Sequence, residues 1–277
     1  MPTLSLIPCL YLLGWLIVQP FRLYRSDLLP EELALFGTLI SFISFLFFMP
    51  GWAKVRWKTS SPWIYLGLVE KKKSLNLALT KFSRGLLLAA FLLVLLMGPI
   101  LLFGWGEWLG SWSPRLVVDA LLLVVWGLLE ELIFRGWLWH ELEYLISARL
   151  AIFTQAAIFS VAHIRFTFNF WDLWLLLLGL FVLGLILAAR RILDKGSLWG
   201  CIGLHGGLAA GWFVLTNGLI SLSSNAPIWL VGPANPIGGG VPIAVLCVIL
   251  LLQVNAVPIT RRPSNGARNA SSKGATP

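Results

Sequence analysis

The stretch LLLVVWGLLEELIFRGWLW, residues 121–139, decides the architecture. It has the length and apolar character of a membrane-spanning helix, for which about 20 mainly apolar residues are needed. Yet it carries Glu130, Glu131 and Arg135. Each ionisable group near mid-bilayer costs about 3 kcal/mol or more, and a helix that only spanned would place Leu there. These residues are therefore read as a site. Glu131 and Arg135 are four apart, on one face and in the favourable acid-before-base order for an ion pair. Glu130 is turned by about 100° from Glu131, so one guanidinium does not neutralise both carboxylates. A carboxylate held in an apolar wall, near a cation but not clamped by it, feels opposing influences on its proton affinity. Such a group suits general-base work.

The rest of the chain supports a lipid setting. Of 277 residues, 58% are hydrophobic and only 12% charged, against about 25% charged in soluble domains. Mean hydropathy is +0.85. The net charge of +9 does not point to nucleic acid, because the basic residues fall in connections between apolar runs and no nucleic-acid-binding motif is present. Cys9, Cys201 and Cys247 lie far apart in apolar segments without metal-ligand spacing, and are expected to be buried small hydrophobes. The N-terminus has neither a basic leader nor a small-residue cleavage site, so its first apolar run is expected to remain as a span.

Reading for runs of span length gives eight candidates, at 4–21, 33–52, 86–105, 116–139, 149–166, 170–190, 198–220 and 240–258. The fold class expected is an all-α polytopic membrane bundle. Leu75, Leu79 and Phe82 predict a short interfacial helix over 74–84. Lys and Arg number eight in the loop 53–85, and further ones follow the fourth, sixth and last spans, sixteen in all on one side. The opposite loops hold four, Arg22, Arg25, Arg115 and Arg165, offset by Asp27, Glu31, Glu32, Glu107 and Asp172. That alternation predicts eight spans with both termini cytosolic.

The organisation expected is an N-terminal part, 1–115, with a basic cytosolic loop; a core, 116–220; a loop and last span, 221–260; and a basic tail, 261–277. The tail is polar, without aromatics, and is expected to be disordered. Its Asn269-Ala270-Ser271 would be a glycosylation acceptor only on a lumenal side. Segment 221–239 reads as an uncharged, turn-rich loop. The chain shows no internal repeat, which weighs against an inverted-repeat transporter.

Two of the three histidines fall within candidate spans. His163 follows Phe159 by one helical turn, and His205 lies among Gly200, Gly203, Gly206 and Gly207, where another backbone can approach closely. His140 sits just beyond the fourth span and reads as interfacial. Taken singly, each intramembrane polar group is more often a packing or interhelix hydrogen-bonding residue. Their joint occurrence in consecutive spans shifts the reading toward chemistry. Asp119, three turns before Glu130, either faces the same interior or bonds a neighbouring helix, and the structural role is favoured. The sequence has no HExxH, no GxSG-like serine loop and no GxGD aspartate, which removes the zinc, serine and aspartyl types of intramembrane protease defined by those motifs.

The order Glu130-Glu131-x-x-x-Arg135, then Phe159-x-x-x-His163, then His205 resembles the three motifs of the CPBP family. These are the CAAX protease and bacteriocin-processing intramembrane proteases, also called the abortive-infection family, related to type II CAAX prenyl endopeptidases. The resemblance covers about 116–220 and implies an eight-helix membrane hydrolase. It implies that Glu130 and His163 activate the water that attacks a peptide carbonyl and that His205 helps hold the oxyanion. Glu131 and Arg135 would support the first motif, and Phe159 would pack beside His163. The family's third motif commonly reads His-x-x-x-Asn, and here that position is Ala209, which lacks the amide donor. No cofactor is required on this reading. A divalent metal such as zinc, held by Glu130, His163 and His205 with an open water position, is the alternative. The partners expected are the bilayer and a membrane-presented peptide or protein tail, with no nucleic acid. A non-catalytic scaffold or immunity protein of the same fold, and a proton- or ion-coupled transporter, are the rival functions.

Overall fold

The computed structural model describes residues 2–24, 29–72, 74–232 and 236–257. The tail 261–277 and its expected disorder lie outside the described residues. Helices α1 (Pro2–Tyr24) and α2 (Pro30–Arg56) pack together as a hairpin. The one-turn helix α3 (Pro62–Leu66) ends on Gly67 in the left-handed region, φ 88°. Helix α4 (Leu75–Leu102) starts on Ser74, whose hydroxyl accepts from the Leu77 N–H at 3.3 Å. The expected interfacial helix 74–84 and third span 86–105 are thus one rod. Gly85, the one residue there that could punctuate it, instead serves contact: a Cβ on it would lie 2.1 Å from the Gly200 carbonyl oxygen.

Helix α5 (Pro114–Glu131) is capped by Ser113, which accepts from the Leu116 N–H at 3.1 Å. It runs without a break through a π-helical segment, Leu132–Leu138, into α6 (Trp139–Leu145). The fourth helix therefore extends past its expected end at 139. Helix α7 (Ala148–Val161) is shorter than the expected 149–166. The next are α8 (Phe170–Leu193) and α9 (Trp199–Val214), the latter prolonged by π turns at Leu215–Leu219. A four-residue helix α10 (Ile228–Val231) and a 3₁₀ turn, Pro236–Gly238, interrupt the far loop before α11 (Gly240–Ala256). One small departure from an all-α fold is an antiparallel ribbon, β1 (Gly106–Trp108) with β2 (Ile220–Leu222), which ties the end of α4 to the end of α9.

By length and composition, three helices among the described residues can cross a membrane: Glu32–Arg56, Leu75–Leu102 and Phe170–Leu193. Ser5–Phe21, Ala148–Val161 and Gly240–Ala256 are apolar but shorter. The outer surface fits a lipid solvent, since Phe47 on α2 is 83% exposed and Leu87 on α4 is 69% exposed. Exposed apolar side chains on this scale are a liability in water and ordinary against lipid. The chain is an integral membrane protein. The cysteine expectation holds for Cys201 alone, as Cys9 and Cys247 lie on the exposed outer faces of α1 and α11, where lipid would shield a thiol as well as protein does.

Helix α9 is the central element and packs most extensively on α4 and α5. Its glycines set the separations. A Cβ at Gly203 would lie 2.1 Å from the Phe82 carbonyl oxygen of α4, and one at Gly127 of α5 would lie 2.9 Å from Gly206 of α9. No larger residue fits at either crossing, and that closeness brings His205 against the two glutamates. Two apolar cores flank it. One joins Phe45 and Met49 of α2 to Leu132 and Trp137; the other joins Leu92 of α4, Ile186 of α8, Leu204 and Ile249.

Candidate active site

The site forms where the end of α5, the end of α7 and the middle of α9 meet. Glu131 and Arg135 are both 0% exposed, and the Arg135 Nη1 donates to Glu131 Oε1 at 2.8 Å. The same Oε1 lies 2.8 Å from the Nδ1 of His205. Arg135 Nε and Nη2 have no polar partner among the described residues. Instead the guanidinium carbon lies 4.0 Å from the centre of the Phe159 ring. A desolvated cation–π contact of this kind contributes about 2 kcal/mol. Phe159 also meets the His163 ring at 4.7 Å and the His205 ring edge-on at 5.6 Å, so one phenyl ring packs against three of the motif side chains.

Glu130 projects differently, as the 100° turn required. Its Oε1 accepts from the Trp126 indole N–H at 2.7 Å. Its Oε2 is buried without an aligned hydrogen bond, yet lies 3.4 Å from the Nε2 of His163 and 3.8 Å from the Nε2 of His205. The ring orientation of both histidines is settled at the opposite nitrogen. His163 Nδ1 lies 2.8 Å from the Phe159 carbonyl oxygen, which only accepts, so that nitrogen carries a proton. His205 Nδ1 faces Glu131 in the same sense. Each imidazole therefore turns its Nε2 toward Glu130.

His163 was expected inside the fifth span, 149–166. The structure ends α7 at Val161 and carries His163 in the turn beyond, with its N–H bonded to the Ser160 carbonyl oxygen at 3.1 Å. A 14-residue helix rises only ~21 Å, less than the ~30 Å hydrocarbon thickness. His163 therefore stands just past the end of a short helix and not within a full-length span.

Among the described residues Asp119 bonds no other helix; it lies 3.8 Å from Arg115, one turn earlier on its own helix, and is partly exposed. Asn217 does not replace the missing amide at Ala209, since its Nδ2 donates to the Phe213 carbonyl oxygen at 3.0 Å. The six motif residues, Glu130, Glu131, Arg135, Phe159, His163 and His205, do converge. Among the described residues no three His, Cys, Asp or Glu side chains form a group that could hold a metal ion.

Three neighbours were not singled out from the sequence. Trp126, one turn before Glu130, holds its outer oxygen. Arg191, counted only as a loop charge, reaches the Arg135 carbonyl oxygen with Nη1. The hairpin α1–α2 supplies the wall of an apolar cavity of about 100 Å³, lined by Leu10, Tyr11, Phe42, Phe45, Trp126 and Leu129 and reaching Glu130. The i, i+4 spacing of Trp126 and Glu130 was legible; the other two depend on tertiary packing.

With the geometry in place, comparison with known proteins gives the class. Residues 111–211 match the family described as type II CAAX prenyl endopeptidase Rce1-like, a family of membrane proteases. That match supports a domain of the CAAX/CPBP intramembrane-protease type over this segment. Residues 1–61 match a domain of unknown function, DUF8676. No curated protein and no solved structure matches the chain.

Proposed function

We propose that the protein is an intramembrane endopeptidase in which Glu130 and His163 activate water to attack a peptide carbonyl. The observation that carries this is the placement of Glu130 Oε2, buried, unbonded and 3.4 Å from an imidazole Nε2. Positions ~2.8 Å from both atoms exist at that separation, so one water can donate to the carboxylate and to the His163 nitrogen together. Glu130 takes the water proton, the oxygen adds to the carbonyl carbon, and the proton then passes to the departing amine nitrogen as the C–N bond breaks. Water is consumed and both peptide ends are released. His205, oriented by Glu131, presents Nε2 to the same volume and, when protonated there, donates to the oxyanion. Arg135 holds Glu131 in place through its Nη1. Two imidazoles and a carboxylate are donor types that a divalent metal takes, but Glu130, His163 and His205 do not form a group that could hold one among the described residues.

The substrate class that fits is a peptide segment entering from lipid. The apolar cavity between α1, α2 and α5 accepts an aliphatic or aromatic side chain beside the reacting carboxylate. The test is Glu130→Gln in the full chain reconstituted in liposomes with a membrane-peptide extract, with new termini read by mass spectrometry. Wild type should generate termini that the variant makes at least ~10³-fold more slowly, as expected for loss of a general base, with the unfolding midpoint unchanged. Equal production by both folded proteins would overturn the reading.

A second reading, a non-catalytic peptide-binding protein, is favoured by Ala209 alone, and the same comparison separates the two. On that reading neither form makes new termini.

A further inference from the structure

We infer that a second pocket, joined to the glutamate–histidine cluster through Arg191, whose Nη1 reaches the Arg135 carbonyl oxygen, binds a phosphate-bearing anion. It has a volume of about 350 Å³ and lies between the loops flanking α3, the start of α6 and the turn after α8. Its chemistry is carried by Thr59, Ser61, Tyr65, Lys71, Arg191 and Lys195. The one carboxylate in the lining, Glu70, is already committed. Its two oxygens accept from Lys81 Nζ at 2.9 and 2.8 Å, and Ser197 donates to Oε1 at 2.5 Å. The remaining charge of the pocket is cationic.

Arg191 is the informative member. It is 6% exposed, and its three nitrogens donate only to carbonyl oxygens: Nε to Gly196 at 3.4 Å, Nη1 to Arg135, and Nη2 to Leu66 at 3.3 Å. Its guanidinium carbon lies 5.0 Å from the centre of the Trp139 ring, and among the described residues no carboxylate stands within ion-pair distance of it, Glu143 and Glu131 acting from farther away. Buried guanidinium groups are normally paired, since desolvating one costs several kcal/mol. Three of its five N–H groups are used, which leaves two for a ligand in the planar fork that suits phosphate oxygens. Lys71 and Lys195, both exposed, stand at the same pocket and complete a three-cation cradle with hydroxyl donors beside it.

The cradle is built, not incidental. Gly67 and Gly196 both take φ 88° and Lys195 takes φ 57°. The two loops lock through the Leu198 N–H, which donates to the Gly67 carbonyl oxygen at 2.9 Å. A Cβ on Gly67 would lie 2.0 Å from the Gly196 carbonyl oxygen. A small carboxylate would leave most of 350 Å³ empty, whereas a phosphate with its substituent uses both the volume and the surplus charge. Two sources share that chemistry, an anionic lipid head group and free phosphate. Binding itself does not depend on the protease reading.

The experiment uses the full chain in phosphatidylcholine nanodiscs. One arm adds inorganic phosphate; the other replaces part of the lipid with phosphatidylglycerol. The unfolding midpoint should rise in at least one arm, and the arm that responds identifies the source. Removing two cradle charges with Lys71→Gln plus Lys195→Asn should weaken that response about tenfold, equivalent to ~1.4 kcal/mol. Asparagine keeps the left-handed turn at 195 accessible, and neither substitution empties the core, so the double variant should fold where an Arg191 variant need not. A midpoint that stays still in both arms overturns the inference. So does a rise that the double variant reproduces in full.

Discussion

Glu130 and Glu141 sit three turns apart on the same continuous helical rod, yet the protein treats them in opposite ways. Glu141 is 0% exposed and saturated: Oε1 accepts from the Trp52 indole at 3.0 Å and the Trp57 indole at 2.8 Å, and Oε2 from Arg56 Nε at 3.2 Å. Those donors all come from α2 or the residue after it, so this carboxylate fastens the N-terminal hairpin to the rod. Glu130 keeps one oxygen unbonded and faces two imidazoles. Burial alone therefore does not mark a reactive group. What distinguishes the two is whether the hydrogen-bonding capacity is filled. Glu131 stands between the two: its Oε2 is buried without a partner, like that of Glu130, but its Oε1 receives both Arg135 and His205.

Substitutions sharpen the contrast in order of size. Glu131→Gln leaves a guanidinium at 0% exposure without its counter-charge, and breaking a buried pair this way costs about 3–5 kcal/mol. Unfolding in detergent should show that loss, whereas Glu130→Gln should be nearly neutral. If the two variants unfold alike, the division between a structural and a reactive glutamate fails. A smaller effect is expected from Glu141→Gln. The amide oxygen still accepts from the two indoles, but the charge-assisted bond to the partly exposed Arg56 weakens, a loss of about 1–2 kcal/mol. Tryptophan emission should shift, because Trp52 and Trp57 report directly on this carboxylate, and any peptide processing should continue at close to the wild-type rate.

Much of the candidate site could be read from the chain because its parts are local. The Glu131–Arg135 pair follows from i, i+4 spacing, the Glu130 divergence from the helical angle, and the approach of α9 from its glycines. The reading failed where tertiary contact overrides local pattern. Leu75, Leu79 and Phe82 have the period of an interfacial helix, but Gly85 packs on Gly200 and lets the rod continue. Counting 20 residues per span assumed that every apolar helix crosses fully, which α7 does not. Nothing local shows that Arg191 will abandon the loop for the Arg135 carbonyl, or that Glu141 will collect donors more than 80 residues away in sequence.

The least effect expected comes from His140, beside Glu141 and beyond the apolar stretch. Its Nδ1 donates to the Gly136 carbonyl oxygen at 2.6 Å, and its ring lies 4.5 Å from Tyr65 and 5.8 Å from Trp57. Burial, and then the nearby charge of Arg191 from α8, lower its pKa from 6.5 to about 4, against the opposing pull of Glu141 on its own helix. The unfolded chain therefore binds a proton that the folded one refuses between those values, so the fold is favoured above about pH 6.5 and loses stability as pH falls toward 4. At pH 5.5 the loss from this group is about 1.4 kcal/mol. Unfolding measured from pH 7.5 to 5.0 in wild type and in His140→Asn should differ in slope, with the variant flatter. Parallel curves would mean that the saturated end of the rod holds an imidazole no differently from solvent, and the comparison with the reactive end would lose its electrostatic side.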